Sequence, residues 1–187
     1  MANSFKDLLT VFELFDYLDD VSIKDPTAIQ CKAIPTILKH NDVVAFAPTG
    51  TGKTLAYALP VFELVKRNEE RHGVNTMRGC PSVIVLTPTR ELARQVFKVF
   101  KEISHFAKCR VRLFVSGESV EKNMSSVREP LEILITVPGK LVQGMKRNEI
   151  SGDMVETVVI DEADQTIDTT FEKDLTENIH KIPNEAK

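Results

Sequence analysis

The chain has 187 residues, a length that suits one domain able to bury a core without disulfide or metal staples. Its 42% hydrophobic and 27% charged residues are those of a soluble globular protein, and no run approaches the roughly 18–20 apolar residues of a membrane span. A net charge of −3 excludes a global basic field, so any nucleic acid must be held by a local patch or by oriented backbone N–H groups. Three scattered cysteines, Cys31, Cys80 and Cys109, read as free thiols rather than a disulfide framework or a zinc site. The opening residues lack the apolar core of a signal peptide, and an intracellular protein is expected.

Residues 5–18 carry Leu8, Leu9, Phe12, Phe15 and Leu18 at spacings of three and four, which predicts an amphipathic helix. Asp25-Pro26 breaks it, because the residue before a proline is biased to extended backbone. A second helix is expected over 27–39, with Ile29, Ala33, Ile34 and Ile37 inward and Pro35 as a kink. The apolar run Asp42-Val43-Val44-Ala45-Phe46 predicts a strand, residues 53–68 a helix, and the polar stretch 69–79 an exposed loop. Strands are then expected at 82–87, 110–115, 132–136 and 156–160. Between and after them, helices are expected at 90–107, more weakly at 118–128, at 140–147 and at 171–181. Short apolar strands alternating with helices imply an α/β fold, a parallel β-sheet flanked by helices on both faces. In such sheets ligands sit at the carboxyl ends of the strands.

Two stretches at strand ends carry chemistry. Ala47-Pro48-Thr49-Gly50-Thr51-Gly52-Lys53-Thr54 follows one predicted strand and opens a helix. Gly50 and Gly52 permit a tight turn that presents backbone N–H groups to phosphate oxygens, and the helix start adds the positive end of its dipole. Lys53 would reach the β/γ phosphates and the Thr54 hydroxyl would ligate magnesium. Asp161-Glu162-Ala163-Asp164 follows the last predicted strand. A carboxylate there can hold magnesium through water, and the next can orient and deprotonate an attacking water. Together the two stretches read as nucleotide hydrolysis.

With these two, Pro88-Thr89-Arg90-Glu91-Leu92-Ala93 and Pro26-Thr27-Ala28-Ile29-Gln30 complete four elements in order, with Phe5 upstream of the last. On these residues the chain resembles the first RecA-like domain, a P-loop NTPase fold, of DEAD-box ATP-dependent RNA helicases. The resemblance covers residues 1–187, with an adenine-sensing segment at 3–31, and accounts for Ala47 at the head of the phosphate loop. It implies ATP and Mg2+ as cofactors, with Gln30 reading adenine through one donor and one acceptor. Phe5, Ile23 and Pro26 would line the base, and residues from Ala47 to Thr54 the phosphates. Lys53, Asp161, Glu162 and Asp164 would be the catalytic set, with Thr54 and Asp161 on the metal. Pro88, Thr89 and Arg90 would grip an RNA backbone without sequence specificity, helped by Gly117 and by Pro138, Gly139 and Lys140.

The departures are also specific. Val137 stands where the family has a threonine hydroxyl, and Lys140 replaces a bidentate arginine by a point charge. Ile23 stands where an aromatic ring usually lies beneath adenine, and Gln165-Thr166 and Thr169-Thr170 replace Arg-Met and Met-Gly. The family's Ser-Ala-Thr has no counterpart in this sequence, nor has the second RecA-like domain with its arginine finger. A monomeric ATP-binding half of an RNA helicase is therefore expected, nearly inactive alone. The alternative is a catalytically weakened interaction or scaffold module.

Overall fold

Two compact units make up the described residues of the computed structural model, which are 4–39, 42–74, 76–117, 127 and 129–166. One unit takes 4–74 with 99–108, the other 76–98 with 109–166. Each is described by itself. The expected helices at 118–128 and 171–181 fall outside the described residues, apart from Val127.

In the first unit the single helix expected over 5–18 is two pieces, a 3-10 turn Phe5–Asp7 and α1 (Phe12–Asp20). The cause is a distant side chain. The N–H groups of Leu8 and Leu9 both donate to the Phe5 carbonyl, at 2.9 Å, and the next two leave the helical pattern altogether. Thr10 N–H donates to the Glu63 carboxylate at 3.0 and 3.2 Å and Val11 N–H at 3.0 Å, while the Thr10 hydroxyl donates to Glu63 Oε1. Val11 is the N-cap of α1 and has no polar side chain, and Glu63 from another helix accepts from the N–H of this residue and of the one before it, fixing the chain where the helix starts. The Glu63 side chain is 0% exposed, and Arg67 closes the network at 2.8 Å.

That other helix is α3 (Lys53–His72), which follows α2 (Ala28–Leu38). Helix α3 runs a turn beyond the expected 53–68. Lys66 pairs with Glu69 at 2.6 Å, Arg71 and His72 suit the negative end of the dipole, and Gly73 N–H closes on the Glu69 carbonyl at 2.8 Å. Aromatic rings fasten the carboxyl half of α4 (Arg90–Ala107) to this unit: Phe62 and Tyr57 lie 5.4 and 6.1 Å from Phe100, and Tyr17 lies 5.9 Å from Phe106. Burial pushes the Tyr17 hydroxyl pKa up, and the Glu102 and Asp20 carboxylates add to it, so the ring stays neutral.

One expectation fails here. Residues 42–46 form no strand, and Val44 and Phe46 are 83% and 91% exposed. An apolar run becomes a buried parallel strand only with a ladder beside it, and none of the described strands pairs with this one.

The second unit holds β1 (Val83–Leu86), β2 (Val111–Phe114), β3 (Ile133–Thr136) and β4 (Thr157–Ile160), all parallel in the order β2-β3-β1-β4. The four predicted strands are thus observed, each trimmed by one or two residues. β1 and β3 are buried at every position because they are central, whereas β4 at one edge is half-buried throughout. Ile84, Leu86, Leu134 and Phe114 share a core with Leu141, Val142 and Met145 of α5 (Pro138–Lys146), and α6 (Ala163–Thr166) follows β4. Helix α5 lies so close that a Cβ on Gly144 would stand 2.9 Å from the Phe114 ring.

Glu63→Ala should strand the Thr10 and Val11 N–H groups and the Arg67 guanidinium, and we expect a loss of about 3 kcal/mol. Urea unfolding followed by circular dichroism measures it. A midpoint unchanged from the parent would show that Glu63 is not what fixes the start of α1.

Candidate functional site

The four parallel strands are in register, so that Phe114, Thr136, Leu86 and Ile160 form one row across the sheet. Each is the last residue of its strand. The segments that leave this row are therefore neighbours along one edge: 115–117, 137–139, 87–89 and 161–162. Hydrogen bonds carry the ladder one step past the row, from Thr87 N–H to the Thr136 carbonyl at 3.1 Å and from Asp161 N–H to the Leu86 carbonyl at 2.9 Å. The Thr136 hydroxyl donates to the Phe114 carbonyl at 2.6 Å and locks β3 to β2 at the same level.

At the end of β4 the acidic stretch has a defined shape. Glu162 lies in the left-handed region, φ +46°, a conformation that costs a non-glycine residue on the order of 1–3 kcal/mol. It is held by its own neighbours: Glu162 N–H donates to Asp161 Oδ1 at 3.0 Å, and Gln165 and Thr166 N–H both donate to the Glu162 carbonyl at 2.9 Å. Thr166, one of the departures from the family pattern, is buried and donates its hydroxyl to the Asp161 carbonyl at 2.6 Å. Asp161 and Glu162 are half-buried and Asp164 is exposed.

At the end of β1, Thr89 caps α4 by accepting from Leu92 N–H at 3.2 Å, and the Thr87 hydroxyl donates to the Thr89 carbonyl at 3.1 Å. The N–H groups of Arg90 and Glu91 then have no partner among the described residues, as the first turn of a helix dictates. Arg90 is exposed, and a Cβ placed on Gly117 would be 3.3 Å from its guanidinium, so these two come together. At the end of β3, Val137 caps α5 with no side-chain hydrogen bond, Pro138 takes the first helical position, and Gly139 is exposed. The Lys140 ammonium sits 4.6 Å above the Phe114 ring and 2.9 Å from Gln143 Oε1.

The first unit carries the loop expected to bind phosphate. Gly52 is the N-cap of α3 with φ +86°, and Gly50 has φ +78°. Within this unit the loop meets Gln30, which is 2% exposed. Gln30 Nε2 donates to the Gly52 carbonyl at 3.1 Å, and its Oε1 accepts from Thr27 N–H at 2.9 Å. A Cβ on Gly52 would be 2.6 Å from Gln30 Nε2 and 3.4 Å from Thr27 Oγ1, so Gly52 is needed for space as well as for its backbone angle. Thr51 donates its hydroxyl to the Pro48 carbonyl at 2.8 Å and shapes the turn. Ala47, Lys53, Thr54, Ile23 and Pro26 are half-buried, Pro48, Thr49 and Gly50 are exposed, and Phe5 is a core residue at 3% exposure. Sequence reasoning placed Thr27 in the Pro26–Gln30 segment without giving its side chain a role, and it missed Glu63. The Thr-x-x-Gln spacing of a capping box was a readable signal for Thr27, whereas nothing local marks Glu63.

Residues 27–187 match the DEAD/DEAH box helicase family. The chain belongs to that family. It is 36% identical over 172 residues to DEAD-box ATP-dependent RNA helicase 39 of Arabidopsis thaliana, covering 91% of this chain and 28% of that one. ATP-dependent RNA helicase DDX54 of Mus musculus is 35% identical over 182 residues, covering 97% of this chain and 20% of its own. Among solved structures, a S. cerevisiae Dbp5 variant bound to a Gle1 variant and IP6 superposes with a TM-score of 0.84 at 28% identity, covering 100% of this chain and 46% of that one. The chain thus spans between a fifth and a half of these relatives. The parallel sheet with flanking helices is the helicase RecA-like architecture that the resemblance implied.

The cysteines take no part in the strand-end row. Cys109 is buried, Cys31 and Cys80 are half-buried, and burial followed by the Asp153 carboxylate pushes the Cys80 thiol up, away from the reactive thiolate.

The two phosphate-loop glycines should respond differently to a methyl group. Gly50→Ala meets no atom within 4 Å and bears only the backbone cost of about 1–2 kcal/mol, whereas Gly52→Ala also displaces Gln30. We expect Gly52→Ala to lower the thermal midpoint clearly more than Gly50→Ala. Equal shifts in differential scanning calorimetry would remove the Gln30 contact from the account.

Proposed function

We propose that this chain is the ATP-binding half of a DEAD-box RNA helicase, which hydrolyses ATP and remodels RNA together with a second RecA-like domain. The observation that carries this reading is the row of four strand ends, three bearing the family's RNA-facing segments and the fourth its acidic tetrad. Helicase relatives along most of the chain support the same reading.

The residues suit a nucleotide. The first turn of α3 leaves N–H groups for phosphate oxygens, Gly50 and Gly52 bend the backbone towards them, and Lys53 opens the helix. No cluster of three or more His, Cys, Asp or Glu among the described residues could hold a metal by itself. A magnesium ion that takes only one or two protein oxygens besides phosphate and water fits that inventory, and the family resemblance names the Thr54 hydroxyl and the Asp161 carboxylate as the groups that would hold it. When bound, Mg2+ would neutralise charge on the phosphates being split. Asp161 would hold the ion through water, and Glu162, fixed in its left-handed turn, would accept the proton of the attacking water. Asp164 completes the catalytic set from the exposed side of α6. Arg90, the free N–H groups beside it, Gly117, Gly139 and Lys140 bind RNA phosphates without reading sequence.

Gln30 reads adenine with what its carboxamide has left. Thr27 N–H and the Gly52 carbonyl take one bond at each end and fix the amide's orientation, leaving one N–H and one oxygen lone pair for a base edge. Such a bidentate pair is worth roughly 1–3 kcal/mol of discrimination. We expect Gln30→Ala to weaken ATP binding by roughly tenfold while GTP, already weak, changes little. Isothermal calorimetry decides it: a parent that binds ATP and GTP equally well has no adenine reader at Gln30. In the same assay Lys53→Ala should abolish most ATP affinity with the fold intact by circular dichroism.

Ile23 gives a separate test. A ring under a base contributes on the order of 1–3 kcal/mol by stacking, more than the dispersion an isoleucine offers. Ile23→Phe should therefore tighten ATP binding, and unchanged affinity would mean that Ile23 does not lie against the base.

A further inference from the structure

Helix α4 has a buried face of Ala93, Val96, Phe100, Ile103 and Ala107, each at most 1% exposed. On its opposite face Arg90, Arg94 and Lys98 are exposed at positions i, i+4 and i+8, one ridge of the helix. A rise of 1.5 Å per residue sets these cations about 6 Å apart, close to the spacing of successive phosphates along a single strand. The ridge begins at Arg90, beside Gly117 and the unpartnered N–H groups of the helix start. It stops where the acidic Glu102 is exposed in the next turn. Glu91, itself 71% exposed, stands 3.9 Å from Arg94, and Lys98 has no ion pair among the described residues. In a chain of net charge −3 this is a local cationic ridge, the form that polyanion binding must take here.

We propose that the ridge extends the RNA path: the backbone leaves Arg90 and its next phosphates lie against Arg94 and Lys98, lengthening the footprint by about two nucleotides. This rests on the RNA-binding reading above. It is favoured over an acidic protein partner by the even spacing of the cations and by their continuity with Arg90.

The test uses the full chain and labelled uridine oligomers lengthened one nucleotide at a time, with fluorescence anisotropy at several salt concentrations. In the parent, affinity should climb over the last two nucleotides of the footprint. In Arg94→Gln/Lys98→Gln that climb should vanish and the slope of log affinity against log salt should fall by about 0.7 for each contact removed. Lys98→Glu should weaken binding further, and all variants should keep the parent's ATP affinity and melting curve. An unchanged slope and footprint in the double variant, with RNA still lost in Arg90→Ala, would overturn the extension and leave the Arg90 contact standing. A parent with no salt-dependent RNA binding would overturn both readings. Displacement of RNA by polyglutamate at equal charge concentration in the parent, but not in the double variant, would overturn the RNA assignment in favour of an acidic protein.

Discussion

The register of the parallel sheet is the constraint on which the site depends. Because Phe114, Thr136, Leu86 and Ile160 form one row, four segments far apart in sequence start at one level and one edge. A slip of one residue in any strand would turn its buried side chains outward and carry its loop off the row. The buried hydroxyl of Thr136 is informative here. It bonds the Phe114 carbonyl across the row, so a polar group fixes register where the apolar side chains of β1 and β3, all buried, would tolerate alternatives.

A second constraint acts in the first unit through Gln30. Its carboxamide ties the start of α2 to the start of α3 by one bond to each. Such a tether has two consequences from one geometry: it holds the Gly50–Gly52 turn, and it fixes the direction in which the amide's second N–H and second lone pair point. Glu63 does the equivalent further along α3, where one buried carboxylate fixes Thr10 and Val11. The segment from Thr10 to Gln30 is thus fastened to α3 at both ends by polar contacts. Such contacts are strongly directional, and removing one partner costs more than the bond's net worth because the other stays buried.

How legible this was in the sequence depended on distance along the chain. The four strands and the helices α2, α4 and α5 were readable because continuous apolar runs and 3.6-residue periods are local signals. The family membership was readable for a similar reason, since each motif is a short contiguous string. The break between Phe5–Asp7 and α1 was not, because its cause is Glu63, 53 positions beyond Thr10. Residues 42–46 misled in the opposite direction: the composition of a buried strand is there, but a strand exists only through its neighbours, and Val44 and Phe46 are exposed. Helix α3 outruns its expected end because the polar residues 69–72 carry no apolar period, whereas the Lys66–Glu69 pair and the basic last turn support helix.

The departures from the family pattern look different once the row is described. Val137 does leave α5 without a side-chain cap, so the hydroxyl that a threonine would present there is missing. Lys140, however, is not the free point charge that the sequence suggested. A lysine in open solvent samples many rotamers, but this ammonium lies over the Phe114 ring and against Gln143 Oε1, two contacts that restrict it. Phe114 is itself the β2 member of the row, 1% exposed and packed beneath α5. The ring therefore serves the core on one side and positions a cation on the other. What the arginine-to-lysine exchange removes is the bidentate fork; the location of the positive charge at the edge of the row is retained, because the sheet register sets it.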